Sequence, residues 1–384
     1  MLIYSLILVV ILLGLIYEQQ TCPVYSPKIR GFGAFLFVFA LGLVVGLRDM
    51  MGGYDVYVYE NIFLTEASRQ KFNIEMFFSP GGAGARMEPG WLLYNLLIGK
   101  ITASSYLFFF ITAMISYLAL FRHLRRYAPY FFFALLIIFC RQFLQSFVYI
   151  RQFLACMVVW FSLDFALKRK LIPFLLIVFV AANIHVCGLI FLFVYPISNK
   201  KLSVWVMLGG FFTALVLGLT PVFAGILNSL GGLIENEKAL GYAEGTGGGV
   251  HLFYLIEGVL IFGALMVARL SIYGRKTLSQ ILMRKQKFFP VDYQDSKMLL
   301  LFNITFLYAC ASLTTIQSPG MMRLIWVFWI GPICMLPYIC EKLVLGGGRN
   351  LFKVLIILYF ITAFLMFCLR FNSGEMADYR SFIF

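Results

Sequence analysis

Polar side chains able to bind an anion stand at the ends of two neighbouring apolar stretches. Arg141 lies at the end of the first stretch, and Arg151 and Gln152 lie at the start of the second. The short segment QFLQSFVYI joins the two stretches. Two guanidinium groups brought close together repel each other unless an anion lies between them. A diphosphate meets that need, because each Arg fork can hold two phosphate oxygens. For Arg141 the alternative is a side chain that extends to the lipid headgroups.

His185 lies between two apolar runs, 171–184 and 186–198, which basic clusters at 168–170 and 200–201 bracket. Basic residues at both ends predict that the chain enters and leaves the membrane on one face. The first run makes about 21 Å of helix against a hydrocarbon core of about 30 Å. The pattern predicts a short or re-entrant helix pair with His185 at its tip. His185 is interpreted either as a substrate contact near the level of Arg151 or as a buried structural residue.

A third group of polar residues follows the second apolar run. Arg48, a Gly-Gly pair, Asp55 and Tyr59 fall within GLRDMMGGYDVYVYENIF. These types could bind an anion through Arg48 and sugar hydroxyls through Asp55 and Tyr59. An ordinary helix end with a snorkelling Arg and interfacial Tyr side chains accounts for the same residues.

Two further charges stand at the starts of predicted helices. Glu88 begins EPGW, ahead of a predicted amphipathic helix over 88–101, where capping of that helix is the simpler role. Arg323 follows a Ser-Pro-Gly turn at the start of a later apolar run. It is interpreted as a further cation on the outer face.

The composition defines the class of protein that must position these groups. Of the 384 residues 62% are hydrophobic and only 12% are charged, which is too little polar surface for a soluble globule. The sequence therefore predicts an all-α polytopic integral membrane protein. The net charge of +14 falls in short clusters between apolar runs, which favours membrane topology over binding of nucleic acid. The eight Cys show no metal-binding spacing, and no metal or other cofactor is expected.

About twelve apolar runs predict about twelve membrane helices, the short pair included. We expect a single transmembrane domain over residues 1–384, with outer loops at 48–103 and 219–249. Placing the basic linkers inside puts both termini outside. The twelve runs are 2–17, 31–47, 104–121, 128–144, 148–167, 171–184, 186–198, 202–218, 250–270, 298–313, 323–340 and 351–369.

Five stretches, in this order, resemble the EpsG family of bacterial Wzy-type polysaccharide polymerases. They are GLRDMMGGYDVYVYENIF, MEPGWLLYNLLI, YIRQFLACMVVWFSLDFALKRK with AANIHVCGLIFLFVYPI, and SPGMMRLIWVF. The resemblance implies a GT-C-like glycosyltransferase in the bacterial inner membrane that makes O-antigen, capsule or exopolysaccharide. Its substrates would be undecaprenyl-diphosphate-linked oligosaccharide units, polymerised at the outer face among membrane lipid, with a chain-length regulator and a flippase as candidate partners.

The resemblance also suggests roles for the site residues. Positive charge is needed where the lipid diphosphate leaves, and Arg151 and Arg323 are expected to supply it without a metal, with Arg48 and Arg141 as further substrate ligands. A general base must activate the acceptor hydroxyl, and the candidates, in no fixed order, are Asp55, Glu88 and His185. Tyr59 and Gln152 would orient sugar or phosphate groups.

Three other functions fit parts of the pattern. Glu257 lies inside an apolar run and keeps a lipid-linked oligosaccharide flippase or another secondary transporter open as an alternative. Such transporters have short loops, a repeat relating two halves and ionisable groups near the midplane. An O-antigen ligase would use similar substrates with a different acceptor, and a scaffold in a biosynthetic complex would need no catalytic residue.

Overall fold

The computed structural model describes residues 2–21, 31–67, 87–220, 222, 250–273, 293–317, 319–343, 348–370 and 379–383. Every regular element in these ranges is helical, and their one β pairing is an isolated bridge between Arg48 and Ser381. The α-helices are α1 Leu2–Thr21, α2 Phe32–Gly46, α3 Tyr54–Ala67, α4 Pro89–Gly99, α5 Ser105–Tyr127, α6 Phe131–Ile138, α7 Gln145–Val148, α8 Ile150–Val159, α9 Leu163–Leu167, α10 Leu171–Ile184, α11 Val194–Ile197, α12 Val204–Leu219, α13 Leu252–Tyr273, α14 Tyr293–Thr314, α15 Pro319–Met322, α16 Ile330–Tyr338 and α17 Gly348–Arg370. The 3₁₀ helices are Trp160–Ser162, Val186–Phe193 and Leu324–Trp329, and the π-helical turns are Phe139–Phe143 and Ile339–Leu343.

Apolar helices account for most of the described chain. Seven helical stretches there are long and apolar enough to cross a membrane. Five shorter apolar helices accompany them, at Phe32–Gly46, Phe131–Phe143, Leu171–Ile184, Val186–Ile197 and Val204–Leu219. Each of the twelve predicted apolar runs coincides with one of these stretches. The prediction of an all-α polytopic membrane protein is thereby confirmed, while the number of spans and the sides of the termini stay predictions.

The predicted helical turn at His185 is confirmed. Helix α10 ends at Ile184, and the next helix begins at Val186. The two helices approach each other closely here. A Cβ added at Gly188 would lie only 2.7 Å from the backbone nitrogen of Ala182. A glycine at this position therefore permits the tight turn.

The chain divides into two compact units, and the first contains most of the predicted site residues. It comprises Met1–Ser162, Leu175–Leu189 and Leu351–Phe384. Within it α2 packs on α5, α3 on α4 and α1 on α6. Side chains of α3, α4, α5 and α8 form a buried group that we call the aromatic cluster: Val56, Tyr59, Phe63, Trp91, Ile98, Phe108, Phe109, Ile150 and Leu154.

The second unit comprises Leu163–Phe174 and Ile190–Asn350. Its centre is α14, which packs against α12, α13 and α16. Asn303 on α14 donates from Nδ2 to the carbonyl oxygens of Ile197 and Lys200 at 2.6 and 2.9 Å. These bonds hold the end of α11 against α14.

The predicted single domain and outer loops stay predictions. Of the loop 48–103, the described residues include α3 and α4, so the predicted helix at 88–101 is confirmed. The stretch 68–86 and nearly all of the loop 219–249 lie outside the described residues.

Candidate active site

Glu88 connects three segments of the first unit. It occupies the N-cap position of α4, yet its side chain makes no capping hydrogen bond. One carboxylate oxygen, Oε2, accepts a hydrogen bond from Arg151 Nη1, and Oε1 accepts one from the backbone N–H of Val186 at 3.1 Å. Val186 directly follows His185. Glu88 therefore connects the start of α4 to α8 and to the hairpin tip. Its side chain does not cap its own helix.

Arg151 lies in the first turn of α8, paired with that carboxylate. The side chains of Arg151 and Glu88 are only 11% and 17% exposed. Arg151 Nη1 also donates to the Met87 sulfur at 3.0 Å. Its Nε is buried and donates to no group among the described residues. The Nε and Nη2 edge of a guanidinium can bind two phosphate oxygens side by side. In Arg151 this edge is the part of the side chain that could still donate hydrogen bonds to a ligand.

His185 is buried, and its hydrogen bonding defines its tautomer. The backbone N–H of Cys187 donates to His185 Nδ1 at 3.2 Å. A ring nitrogen that accepts a hydrogen bond carries no proton, so the single proton of the neutral ring resides on Nε2. In this arrangement His185 offers a hydrogen-bond donor through Nε2, while its Nδ1 lone pair already accepts the hydrogen bond from the Cys187 N–H.

The aromatic cluster positions four of the predicted site residues, because each is next in the chain to a cluster member or to a side chain packed against it. Arg151 follows Ile150, and Asp55 precedes Val56. The other two adjoining pairs are Met87 with Glu88 and Ile184 with His185.

Asp55 differs from the other candidate bases in its surroundings. It lies half-buried in the first turn of α3, where a negative charge is stabilised by the helix dipole. No group among the described residues donates a hydrogen bond to its carboxylate, whereas both Glu88 oxygens accept one. Asp55 therefore keeps the free lone pairs that proton abstraction requires.

Arg48 is a buried structural cation, so the snorkelling alternative is wrong for it. Its Nε donates to Met51 O at 3.0 Å, its Nη2 to Phe147 O at 2.9 Å, and its Nη1 to Val45 O. Burial lowers the pKa of Arg48 to about 10, which leaves the guanidinium charged at neutral pH. These bonds hold α7 against the turn after α2. Its predicted role as a substrate ligand stays a prediction.

Glycine is needed in the turn that surrounds Arg48. Gly52 has a φ of +133°, and a Cβ added there would lie 2.8 Å from Phe147 O. That carbonyl is also an acceptor for Arg48. The Gly-Gly pair is thus explained by a left-handed turn that lets the backbone approach α7 closely.

The remaining predicted ligands fall in different surroundings. Tyr59 is buried in the aromatic cluster, 5.8 Å from the Trp91 ring centroid, and Gln152 is buried in the first turn of α8. Arg141 is buried inside the π-helical turn Phe139–Phe143, so it does not extend to headgroups. Such turns are frequent at functional sites. Arg323 belongs to the second unit, half-buried at the start of Leu324–Trp329. The binding roles of these residues stay predictions.

Sequence reasoning missed two of the groups that complete this site. The Met87 sulfur and the Val186 N–H are 64 and 98 residues away in sequence from the side chains they contact, Arg151 and Glu88. No local pattern indicates either contact. In the described part of the chain, no three His, Cys, Asp or Glu residues lie close enough together to hold a metal ion. Metal independence stays a prediction.

Replacing Gly90 by alanine is expected to destabilise the first unit. A Cβ at Gly90 would lie 2.7 Å from the Asn183 Cβ and 2.8 Å from its carbonyl oxygen, which forces α4 away from the end of α10. Overpacking of this kind costs about 1–3 kcal/mol, and the unfolding temperature in detergent measures it. Gly33→Ala in α2 is the matched control, since a Cβ there has nothing within 4 Å. Equal unfolding temperatures for the two variants would contradict the close packing.

Comparison with known proteins identifies the family of the chain. The family model described as the EpsG family matches residues 33–381, which is nearly the whole chain. No curated protein and no solved structure matches the sequence. The chain therefore belongs to the EpsG family, whose members are Wzy-type polymerases.

Proposed function

We propose that this EpsG-family chain is a membrane glycosyltransferase that polymerises undecaprenyl-diphosphate-linked oligosaccharide repeat units into a surface polysaccharide. The reaction would take place at the outer face of the bacterial inner membrane. The observation that carries the proposal beyond the family is the pair of Arg151 and Glu88. Glu88 holds the largely buried guanidinium at Nη1, and its Nε has no hydrogen-bond partner among the described residues, which suits a diphosphate leaving group.

The proposed reaction transfers the growing chain to a hydroxyl of the next unit. The hydroxyl oxygen attacks C1 of the sugar attached to the lipid diphosphate, and the bond between C1 and the diphosphate oxygen breaks. The bonding electron pair leaves with the lipid diphosphate, and the hydroxyl proton passes to a base. Negative charge grows on the diphosphate, where Arg151 Nε and Nη2 would donate hydrogen bonds. Glu88 positions Arg151 through Nη1.

Asp55 is the base that the hydrogen-bonding pattern favours. Its carboxylate accepts no hydrogen bond from a described residue, whereas Glu88 is committed to Arg151 and Val186. His185 uses its Nδ1 lone pair on Cys187 N–H, and we assign its Nε2–H as a donor to phosphate or sugar oxygens.

Further residues and partners complete the proposal. Arg141 and Arg323 would add positive charge for the diphosphate, and Arg48 would act through the turn that it holds. Tyr59 and Gln152 would support the orientation of the sugar or phosphate groups. The proposal assigns no metal or cofactor. It includes a GT-C-like fold, surrounding membrane lipid, and a chain-length regulator and flippase as partners.

A polymerisation assay tests the proposed function. The protein, purified in detergent, is incubated with a lipid-linked repeat unit in the presence of EDTA, and the glycans are separated by size. We expect a ladder of products that grow by one repeat unit at a time. Products that carry no additional repeat would contradict the polymerase. A ladder that appears only when Mg²⁺ replaces EDTA would contradict metal independence.

A transporter is the alternative that a specific observation supports. Glu257 is fully buried in α13 and accepts a hydrogen bond from the Tyr308 hydroxyl. Carboxylates inside membrane helices commonly mark ion pathways, and coupling ions drive secondary transporters. Movement of the lipid-linked unit across a vesicle membrane without a ladder would favour a flippase. A single transfer of a finished chain to a different acceptor would favour an O-antigen ligase.

A further inference from the structure

A cleft in the first unit lies beside α3. It is bordered by the turn after α2, by α3, by the start of α5 and by the C-terminal residues 379–383, and its volume is about 390 Å³. Small-molecule sites commonly enclose about 300–1,000 Å³. The polar side chains that line it are Asp49, Tyr57, Glu60, Tyr106 and Arg380. None of them belongs to the Arg151 and Glu88 pair.

Two carboxylates in this cleft are each held by one oxygen. The Tyr106 hydroxyl donates to Asp49 Oδ1 at 2.9 Å, and the Ser105 hydroxyl donates to Glu60 Oε1 at 2.7 Å. The second oxygen of each carboxylate accepts no hydrogen bond from a described residue. The cleft therefore presents two fixed acceptors of the kind that bind hydroxyl groups.

The C-terminal residues form a fixed wall of the cleft. Asp49 N donates to Arg380 O at 2.8 Å, and Phe382 N donates to Leu47 O at 3.2 Å. The Phe382 ring packs on Tyr106 with 4.7 Å between ring centroids. The wall is thus attached to both the turn after α2 and the start of α5.

Helix α3 connects this cleft to the candidate active site. Tyr57 and Glu60 are three residues apart and share the face of α3 that lines the cleft. Val56 and Tyr59 on a neighbouring face belong to the aromatic cluster, whose member Ile150 adjoins Arg151. A molecule bound in the cleft would contact the helix that also carries Asp55.

The chemistry of the lining distinguishes the cleft from a phosphate site. Two carboxylates and one guanidinium give it a net negative charge, which disfavours a diphosphate or a phospholipid headgroup. Tyr57 is 54% exposed and offers an uncovered aromatic ring, and Tyr rings combine an apolar face with a polar tip. Hydroxyl acceptors beside aromatic rings suit a sugar, whose hydroxyls donate and whose ring has apolar faces.

We propose that this cleft is a glycan subsite that binds sugar rings of the repeat unit away from the bond that reacts. The inference rests on the proposed function, and it assigns the place at which the carbohydrate part of the substrate binds. A subsite of this kind raises the affinity for the glycan without contacting the leaving diphosphate.

Calorimetric titration of the free oligosaccharide tests the subsite. The probe is the repeat-unit oligosaccharide released by mild acid from lipid extracts of the cells that make the protein. We expect Glu60→Gln and Tyr57→Ala to weaken its binding roughly tenfold. Glu60→Gln retains an acceptor for Ser105, so folding is preserved. Asn61→Ala, an exposed neighbour on α3, is the matched control and should bind like the wild type.

The outcomes separate this proposal from the proposed function. Unchanged affinity in both Glu60→Gln and Tyr57→Ala would overturn the subsite, as would saturable calcium binding with no heat from the oligosaccharide. In the polymerisation assay Glu60→Gln should raise the KM for the lipid-linked unit and leave kcat unchanged. A ladder with an unchanged KM contradicts the subsite alone. Glycan binding in a wild-type protein that makes no ladder contradicts the polymerase alone.

Discussion

Replacing Arg151 by alanine is expected to lower the polymerisation rate by about 10²–10³-fold, the usual cost of losing one preorganised donor to developing negative charge. Arg151 Nε is buried without a partner among the described residues, and the guanidinium is oriented by Glu88 and Met87. Arg151→Lys should fall between the wild type and Arg151→Ala, because an ammonium keeps the charge but loses the fork. Initial rates of ladder formation at saturating substrate measure the effect.

Stability must be separated from catalysis in this experiment. Removing Arg151 alone leaves the partly buried Glu88 carboxylate, which is 17% exposed, with only the Val186 N–H as a donor, and this costs at most about 3 kcal/mol. The double variant Glu88→Gln with Arg151→Gln replaces the ion pair by two amides that can bond each other. We expect its unfolding temperature to approach that of the wild type while its activity stays low. Recovery of activity together with stability would show that the pair is only structural.

His185 is expected to respond differently to two amide substitutions. The substitution His185→Asn keeps an acceptor near the position of Nδ1 for the Cys187 N–H and removes the donor at Nε2. His185→Gln places its amide near the position of Nε2 and loses the acceptor for Cys187. If Nε2–H donates to the substrate, His185→Asn should lower kcat by about 10- to 100-fold, and His185→Gln should retain more activity.

The opposite order would contradict the donor role. Activity retained by His185→Asn and lost by His185→Gln would mean that His185 matters only through the hairpin turn. Unfolding temperatures of both variants provide the control. His185→Gln loses the Cys187 contact and should therefore unfold at a lower temperature than His185→Asn. The comparison of kcat with stability therefore distinguishes a substrate contact from a structural residue.

Local patterns in the sequence predicted the helices and the hairpin well. The run 171–184 and the turn at His185 follow from apolar length and from basic residues at both ends, and the structure has a helix at Leu171–Ile184. The sequence also indicated that Arg151 and His185 lie at one level. In the structure Glu88 contacts Arg151 and the residue after His185.

What the sequence did not reveal depends on contacts between distant segments. Glu88 was equally consistent with a helix cap, because its partners come from α8 and from the hairpin tip. For Arg48 the sequence suggested an anion or the lipid headgroups as partner, yet one of its acceptors is Phe147 O, 99 residues away. The cleft at Asp49 and Glu60 needs α5 to supply hydroxyl donors. Burial and long-range hydrogen bonding decide all three cases, and neither has a local signature.

The most direct test of the central claim is equilibrium binding of a short-chain polyprenyl diphosphate, with the matching monophosphate as control. If Arg151 binds the leaving diphosphate, the wild type should bind the diphosphate more tightly than the monophosphate, and Arg151→Ala should lose most of that difference. The Glu60→Gln variant should keep it. An Arg151→Ala protein that is folded and retains the full preference for the diphosphate would contradict the claim.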